Sequence, residues 1–147
     1  MSLELLIAAL VGIAATTEDL LRRTVSNWIP IVALVGGLAC HFAETGLRGA
    51  GSAALGAITG YGIFLIFYLL GGRGGGDVKL MAGFGALLGF GRVLPAVLWI
   101  SILGALIAVG VLVVAKLCRK KSAPAAIPYA PAITLGVLIV MMHGGRA

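Results

Sequence analysis

Long apolar runs separated by short polar joints recur along the chain, and their lengths are those of helices that cross a bilayer. Leu3 to Thr17 is almost uninterrupted Leu, Ile, Ala and Val, broken by Glu4 and Gly12. Extended to Leu21, the run covers about 28 Å at the helical rise, close to the hydrocarbon thickness. It predicts a first transmembrane helix, retained because no cleavage motif follows it, with Asp19 in its last turn. After Glu18-Asp19-Leu20-Leu21-Arg22-Arg23, the stretch Asn27-Trp28-Ile29-Pro30 reads as a helix cap, an interfacial aromatic and a first-turn proline. A second helix is therefore expected from Trp28 to about Phe42. His41 to Gly51 is polar, and Ala53 to Leu70 predicts a third span carrying Gly56-x-x-x-Gly60, a spacing that favours close helix contact. Val78 to Phe90 is short and carries Gly85-x-x-x-Gly89, which predicts a fourth helix packed deep in the bundle. Val93 to Leu117 gives a long fifth span, and Ile127 to Met142 a sixth, entered through Pro128-Tyr129-Ala130-Pro131. The pattern predicts an all-α integral membrane protein, a polytopic bundle of about six transmembrane helices forming a single domain over residues 1–147.

Composition agrees with that reading, since 61% of the 147 residues are hydrophobic and 11% are charged, well away from soluble norms. Short loops are expected, with no extramembrane module and no nucleic-acid partner. Cys40 and Cys118 lie in separate apolar segments and form no CxxC pair, so they read as small apolar fillers and not as a zinc site or redox dithiol. Cationic residues fix the orientation, because cytoplasmic loops retain excess Lys and Arg. One side of the bundle collects Arg22, Arg23, Arg73, Lys79, Lys116, Arg119, Lys120 and Lys121, against Arg48, Arg92 and Arg146 on the other. The first side is assigned to the cytoplasm, where the run Arg119-Lys120-Lys121 reads as a topology anchor that also meets anionic lipid.

The same assignment brings Asp19, at the end of helix one, level with Asp77, at the start of helix four, although neither entered the count. They are the chain's two aspartates, and an ionisable group at membrane depth is expensive enough to imply function. Asp77 stands behind Gly74-Gly75-Gly76, whose missing Cβ atoms let an extended peptide backbone approach closely. Two carboxylates in a partly dry site can divide acid and base work on a peptide bond, one activating water while the other donates a proton. No clustering of His and Cys accompanies them; His41 and His143 fall at the opposite face, and no metal or other cofactor is expected. A structural account stands beside the chemical one, with Asp77 paired to Lys79 or an arginine and Asp19 capped by Arg22 or Arg23. Lys79 is expected to tune Asp77 or to face headgroups, Asn27 to cap its helix, and Gly85 and Gly89 to serve packing.

Gly74-Gly75-Gly76-Asp77-Val78-Lys79-Leu80 resembles the GxGD motif of the type IV prepilin peptidases, a family of intramembrane aspartic proteases. Asp19 followed by Arg22-Arg23-Thr24-Val25-Ser26-Asn27 is similar to the family's first-aspartate motif, with Val25-Ser26 where Ile-Pro is expected. Pro128-Tyr129-Ala130-Pro131-Ala132-Ile133 resembles its late proline motif. The resemblance implies the GxGD intramembrane aspartic protease fold and a six-helix bundle in the prokaryotic cytoplasmic membrane. It also implies that Asp19 and Asp77 are the catalytic pair, acting near the cytoplasmic face on a prepilin or pseudopilin whose basic leader is cut after a glycine. Gly74, Gly75, Gly76, Lys79, Asn27 and Glu18 are the expected substrate contacts, Glu18 meeting the leader. Nothing matches the paired CxxC motifs of the larger members' methyltransferase region, so the expected branch is the small, peptidase-only one of the Flp/Tad pilus type. Two other classes remain open: a small proton-coupled transporter with the acids as a relay, and a noncatalytic pilus or secretion assembly protein. The acids' placement near one face, and not at the midplane, weighs against the relay.

Overall fold

A computed structural model describes residues 2–71, 74–118 and 127–144. Arg73, Arg146 and the run Arg119-Lys120-Lys121, on which part of the charge asymmetry rests, lie outside the described residues. Among the described residues the chain forms six helices and no strand: α1 (Leu3–Arg22), α2 (Trp28–Thr45), α3 (Leu47–Leu69), α4 (Gly75–Leu88), α5 (Phe90–Leu117) and α6 (Ala130–Gly144). It is an all-α integral membrane protein. α2, α3 and α5 are long and apolar enough to cross a membrane, whereas α1, long enough at 20 residues, carries Glu4 near one end and Glu18, Asp19 and Arg22 near the other. With 14 and 15 residues, α4 and α6 extend only about 21–22 Å, short of the roughly 30 Å hydrocarbon core.

Side-chain size, more than polarity, separates inside from outside. On α1 the buried face is Ala8, Val11, Gly12 and Ala15, while Leu3, Leu10, Ile13 and Leu20 are exposed. On α5, Val93, Ala96, Ile100 and Gly104 face inward, and Leu94, Leu98, Ile102, Leu106 and Val109 face outward. Such a surface suits lipid, and the small inward residues let backbones come close.

α4 lies at the centre, packed chiefly between α2 and α3 and touching α1, α5 and α6. Leu80, Met81, Phe84, Ala86 and Leu87 are fully buried, as the glycine spacing implied. A Cβ on Gly83 would stand 2.7 Å from the Pro30 carbonyl oxygen of α2. One on Gly85 would overlap the Gly56 carbonyl oxygen of α3. Gly56-x-x-x-Gly60 thus makes the close helix contact that its spacing predicts, and makes it with α4. Gly89 does something else: at φ 69° it breaks the chain sharply between α4 and α5, a conformation that costs glycine little.

Two boundaries differ from the sequence reading. The polar stretch His41 to Gly51 is helical, divided between α2 and α3 by Gly46 alone at φ 64°. Gly49 makes this possible, because a Cβ there would collide with the His41 carbonyl. The triple glycine is also not an extended loop: Gly75 and Gly76 form the first turn of α4, and only Gly74 precedes it.

If the Gly85–Gly56 contact sets the position of α4, Gly85→Val should destabilise the detergent-solubilised protein by about 1–3 kcal/mol through overpacking. Gly62→Ala, on the same α3 helix with nothing within 4 Å of its Cβ position, should change stability by less than about 1 kcal/mol. Thermal unfolding of the two variants side by side makes the comparison.

Candidate active site

Asp19 and Asp77 line one cleft of about 970 Å³, at the end of the bundle where α1 finishes and α4 and α6 begin. Each carboxylate is partly buried, and the charge on Asp19 acts on Asp77. Asp19 is in the last turn of α1, where its backbone carbonyl accepts from Arg23 N–H at 2.9 Å; Arg23 closes the helix at φ 54°. Its side chain is held from across the bundle. Asp19 Oδ2 accepts the backbone N–H of Ala130 at 3.1 Å, so the carboxylate sits on the N-terminus of α6, where unpaired N–H groups and the helix dipole favour an anion. The proline motif thereby reaches the first aspartate. Pro128 and Tyr129 line the cleft beside it, and Pro131 falls in the first helical turn, where a missing N–H does no harm.

Asp77 is in the first turn of α4, with its N–H donated to the Gly74 carbonyl at 3.0 Å. Its carboxylate folds back over Gly74, so that a Cβ on that residue would overlap Asp77 Oδ2. Gly74 therefore has a definite steric role. Gly76 lines the cleft too, but a Cβ there would meet Val25 at an ordinary 3.5 Å, and one on Gly75, outside the lining, would meet only Tyr68 at 3.8 Å.

Other expected contacts divide. Lys79 and Asn27 line the cleft and bind each other, Lys79 Nζ donating to Asn27 Oδ1 at 2.9 Å. This corrects one expectation, since Asn27 makes no side-chain cap to α2; the bond joins Lys79 to the α1–α2 connection, and among the described residues Lys79 forms no ion pair with Asp77. Arg22 and Arg23 likewise form no ion pair with Asp19 among the described residues. Glu18 is outside the lining; its carboxylate accepts from Ser26 N at 2.7 Å and Ser26 Oγ at 3.0 Å. The serine standing where the motif has proline is thus tied to α1 by its N–H, a donor proline lacks.

Sequence reasoning missed the cleft walls. Phe64, Phe67 and Tyr68 of α3 form one wall, and Ser101, Gly104, Ala105 and Ala108 of α5 a second. Both sets follow helical spacing, which is the signal that would have found them. Tyr129 packs so tightly on Gly104 that a Cβ there would overlap the phenol.

The model of the type IV leader peptidase family matches residues 6–109, a stretch that includes both aspartates. The chain belongs to the type IV leader peptidase family. Among curated relatives, the prepilin leader peptidase/N-methyltransferase of Aeromonas hydrophila is 31% identical over 151 aligned positions, covering 97% of this chain and 50% of the relative. The protein of the same name from Bacillus subtilis (strain 168) is 30% identical over 92 positions, 61% of this chain and 36% of the relative. The chain spans about half the length of the Aeromonas relatives that it matches. No solved structure matches it. Within this family member, the glycine-aspartate turn and the first-aspartate stretch are brought to one cleft together with the proline stretch.

The Lys79–Asn27 bond joins α4 to the α1–α2 connection, and Asn27→Ala should cost about 1 kcal/mol, the usual net worth of such a bond. Asn27→Asp, which keeps the acceptor and adds an opposite charge, should recover it. Thermal unfolding at neutral pH distinguishes the two.

Proposed function

We propose that the protein is an intramembrane aspartic endopeptidase that removes the short basic leader of a prepilin or pseudopilin, cutting after a glycine. The observation that carries this reading is the shared cleft, since three stretches far apart in sequence, around Asp19, Asp77 and Ala130, bring two carboxylates and a helix N-terminus to one open end of the bundle. The site would lie at the cytoplasmic face of a prokaryotic inner membrane.

In this mechanism one aspartate is ionised and the other protonated, because like charge at close range disfavours ionising both. The ionised carboxylate takes a proton from water as its oxygen attacks the scissile carbonyl carbon, and the protonated one donates to the carbonyl oxygen. Collapse of the tetrahedral intermediate breaks the C–N bond, and the amide nitrogen leaves with a proton from the pair, as an amine. Asp19, fixed by Ala130 N–H, is the better held carboxylate of the two. Gly74 keeps the space into which Asp77 folds, and the aromatic wall of Phe64, Phe67 and Tyr68 receives the apolar segment after the cut.

Asp19→Asn and Asp77→Asn should each lower cleavage by at least about 10³-fold while the protein still inserts, because an amide neither accepts nor delivers the proton. Coexpression with a candidate prepilin, read by gel shift, tests this; normal processing in either variant would exclude the two-acid mechanism. Gly74→Ala should act as Asp77 variants do, through displacement of the carboxylate, whereas Gly75→Ala should retain most activity. At temperatures well below unfolding, EDTA should leave turnover unchanged. Reversible loss of cleavage there, restored by Zn²⁺ without any shift in thermal unfolding, would replace the aspartic mechanism with a metal-assisted one.

A further inference from the structure

At the end of the bundle opposite the aspartates, three ligand-bearing side chains converge that the peptidase reading does not use. Glu4 of α1, His41 and Glu44 of α2 place one donor atom each within 4.8 Å of one another. Glu4 is 5% exposed, and its Oε1 has no hydrogen-bond partner among the described residues. A buried, unsatisfied carboxylate oxygen is costly, so a protein is not expected to leave one without cause.

A bound cation would supply such a cause, and the spacing fits one. His41 Nε2 lies 3.4 Å from Glu4 Oε1 and 3.3 Å from the Leu87 carbonyl oxygen. Ligand atoms at the corners of a tetrahedron with bonds of about 2.0–2.1 Å stand roughly 3.3–3.4 Å apart, the geometry of zinc. Leu87 is in the last turn of α4, where carbonyls have no intrahelical partner and the helix dipole favours a cation. Glu44 is exposed, one helical turn from His41 on the same face of α2, and can swing over the site. Arg92 Nη1 approaches the other Glu4 oxygen, Oε2, at 4.0 Å, as an outer partner that orients a ligating carboxylate.

We propose that Glu4, His41 and Glu44, with the Leu87 carbonyl, bind one divalent transition ion of zinc-like preference. The ion ties the start of α1 and the end of α2 to the α4–α5 junction. It is structural and takes no part in chemistry at the aspartates. The sequence reading missed it because two of its ligands are glutamates from different helices and only one is a histidine.

Untagged protein in detergent, stripped with EDTA and desalted, should bind one Zn²⁺ per chain by calorimetry and unfold at a higher temperature with the ion present. Glu44→Gln, at an exposed position, should weaken binding at least about 10-fold, since even outer-shell losses cost that much, and should remove most of the thermal shift. His41→Gln should do the same, while His143→Gln and Cys118→Ser should bind as wild type. Absence of binding, or binding unchanged in both Glu44→Gln and His41→Gln, would overturn the assignment.

Discussion

Close approach of α4 to α2 and α3 is the constraint on which the rest of the structure depends. At fourteen residues the helix is too short to span a bilayer straight, yet every residue from Leu80 to Leu88 is buried or half-buried. Backbone meets backbone there: a Cβ on Gly37 would stand 2.5 Å from the Ala86 carbonyl carbon, and one on Gly60 2.7 Å from the Met81 carbonyl oxygen. Lipid supplies no hydrophobic drive between helices, so such contacts, many and individually weak, must hold them together. With α4 fixed in depth, Asp77 at its first turn and Leu87 at its last have little freedom to slide.

The second aspartate depends on a different device. Asp19 leaves α1 where the helix closes, and a carboxylate there would ordinarily swing freely. Its bond to Ala130 N–H holds one oxygen against the start of α6. The cap orients the acid and satisfies an amide at once, so the proline motif, far off in sequence, has a physical reason to accompany the first aspartate.

Helices were legible in the sequence because apolar runs of that length have few other uses. The glycine faces of α3 and α4 could be read for the same reason. Boundaries were less so: His41 to Gly51 looked like a loop by polarity, but glycine lets a polar stretch continue helical through a tight turn. Both acids could be placed at one end by counting spans alone. Their partners could not, because the bonds of Lys79 to Asn27 and of Asp19 to Ala130 depend on how each helix is rotated about its axis. In a soluble protein the division of a helix into an apolar and a polar face reports that rotation. Here inner and outer faces are both apolar, and the information lies in size, in alanines such as Ala8, Ala15, Ala33 and Ala96 that are fully buried.

The polar groups inside the bundle explain why its acids are at its ends. One turn inward from Asp19, Thr134 Oγ1 donates to the Gly12 carbonyl at 3.3 Å and pairs with Thr16 Oγ1 at 3.2 Å. Neutral hydroxyls can satisfy one another at that depth, at little cost. A carboxylate cannot, because its charge needs water or a counter-ion. Asp19 and Asp77 line a cleft that opens at one end of the bundle, and Glu4, at the other end, has the Arg92 guanidinium 4.0 Å from one oxygen while the second oxygen is left for the proposed ion. On the proposed peptidase reading this location is favourable twice over. Water that lets the acids ionise would also be the second reactant, so a peptide bond would be cut at the end of the bundle while its apolar continuation stayed among the aromatic side chains of α3.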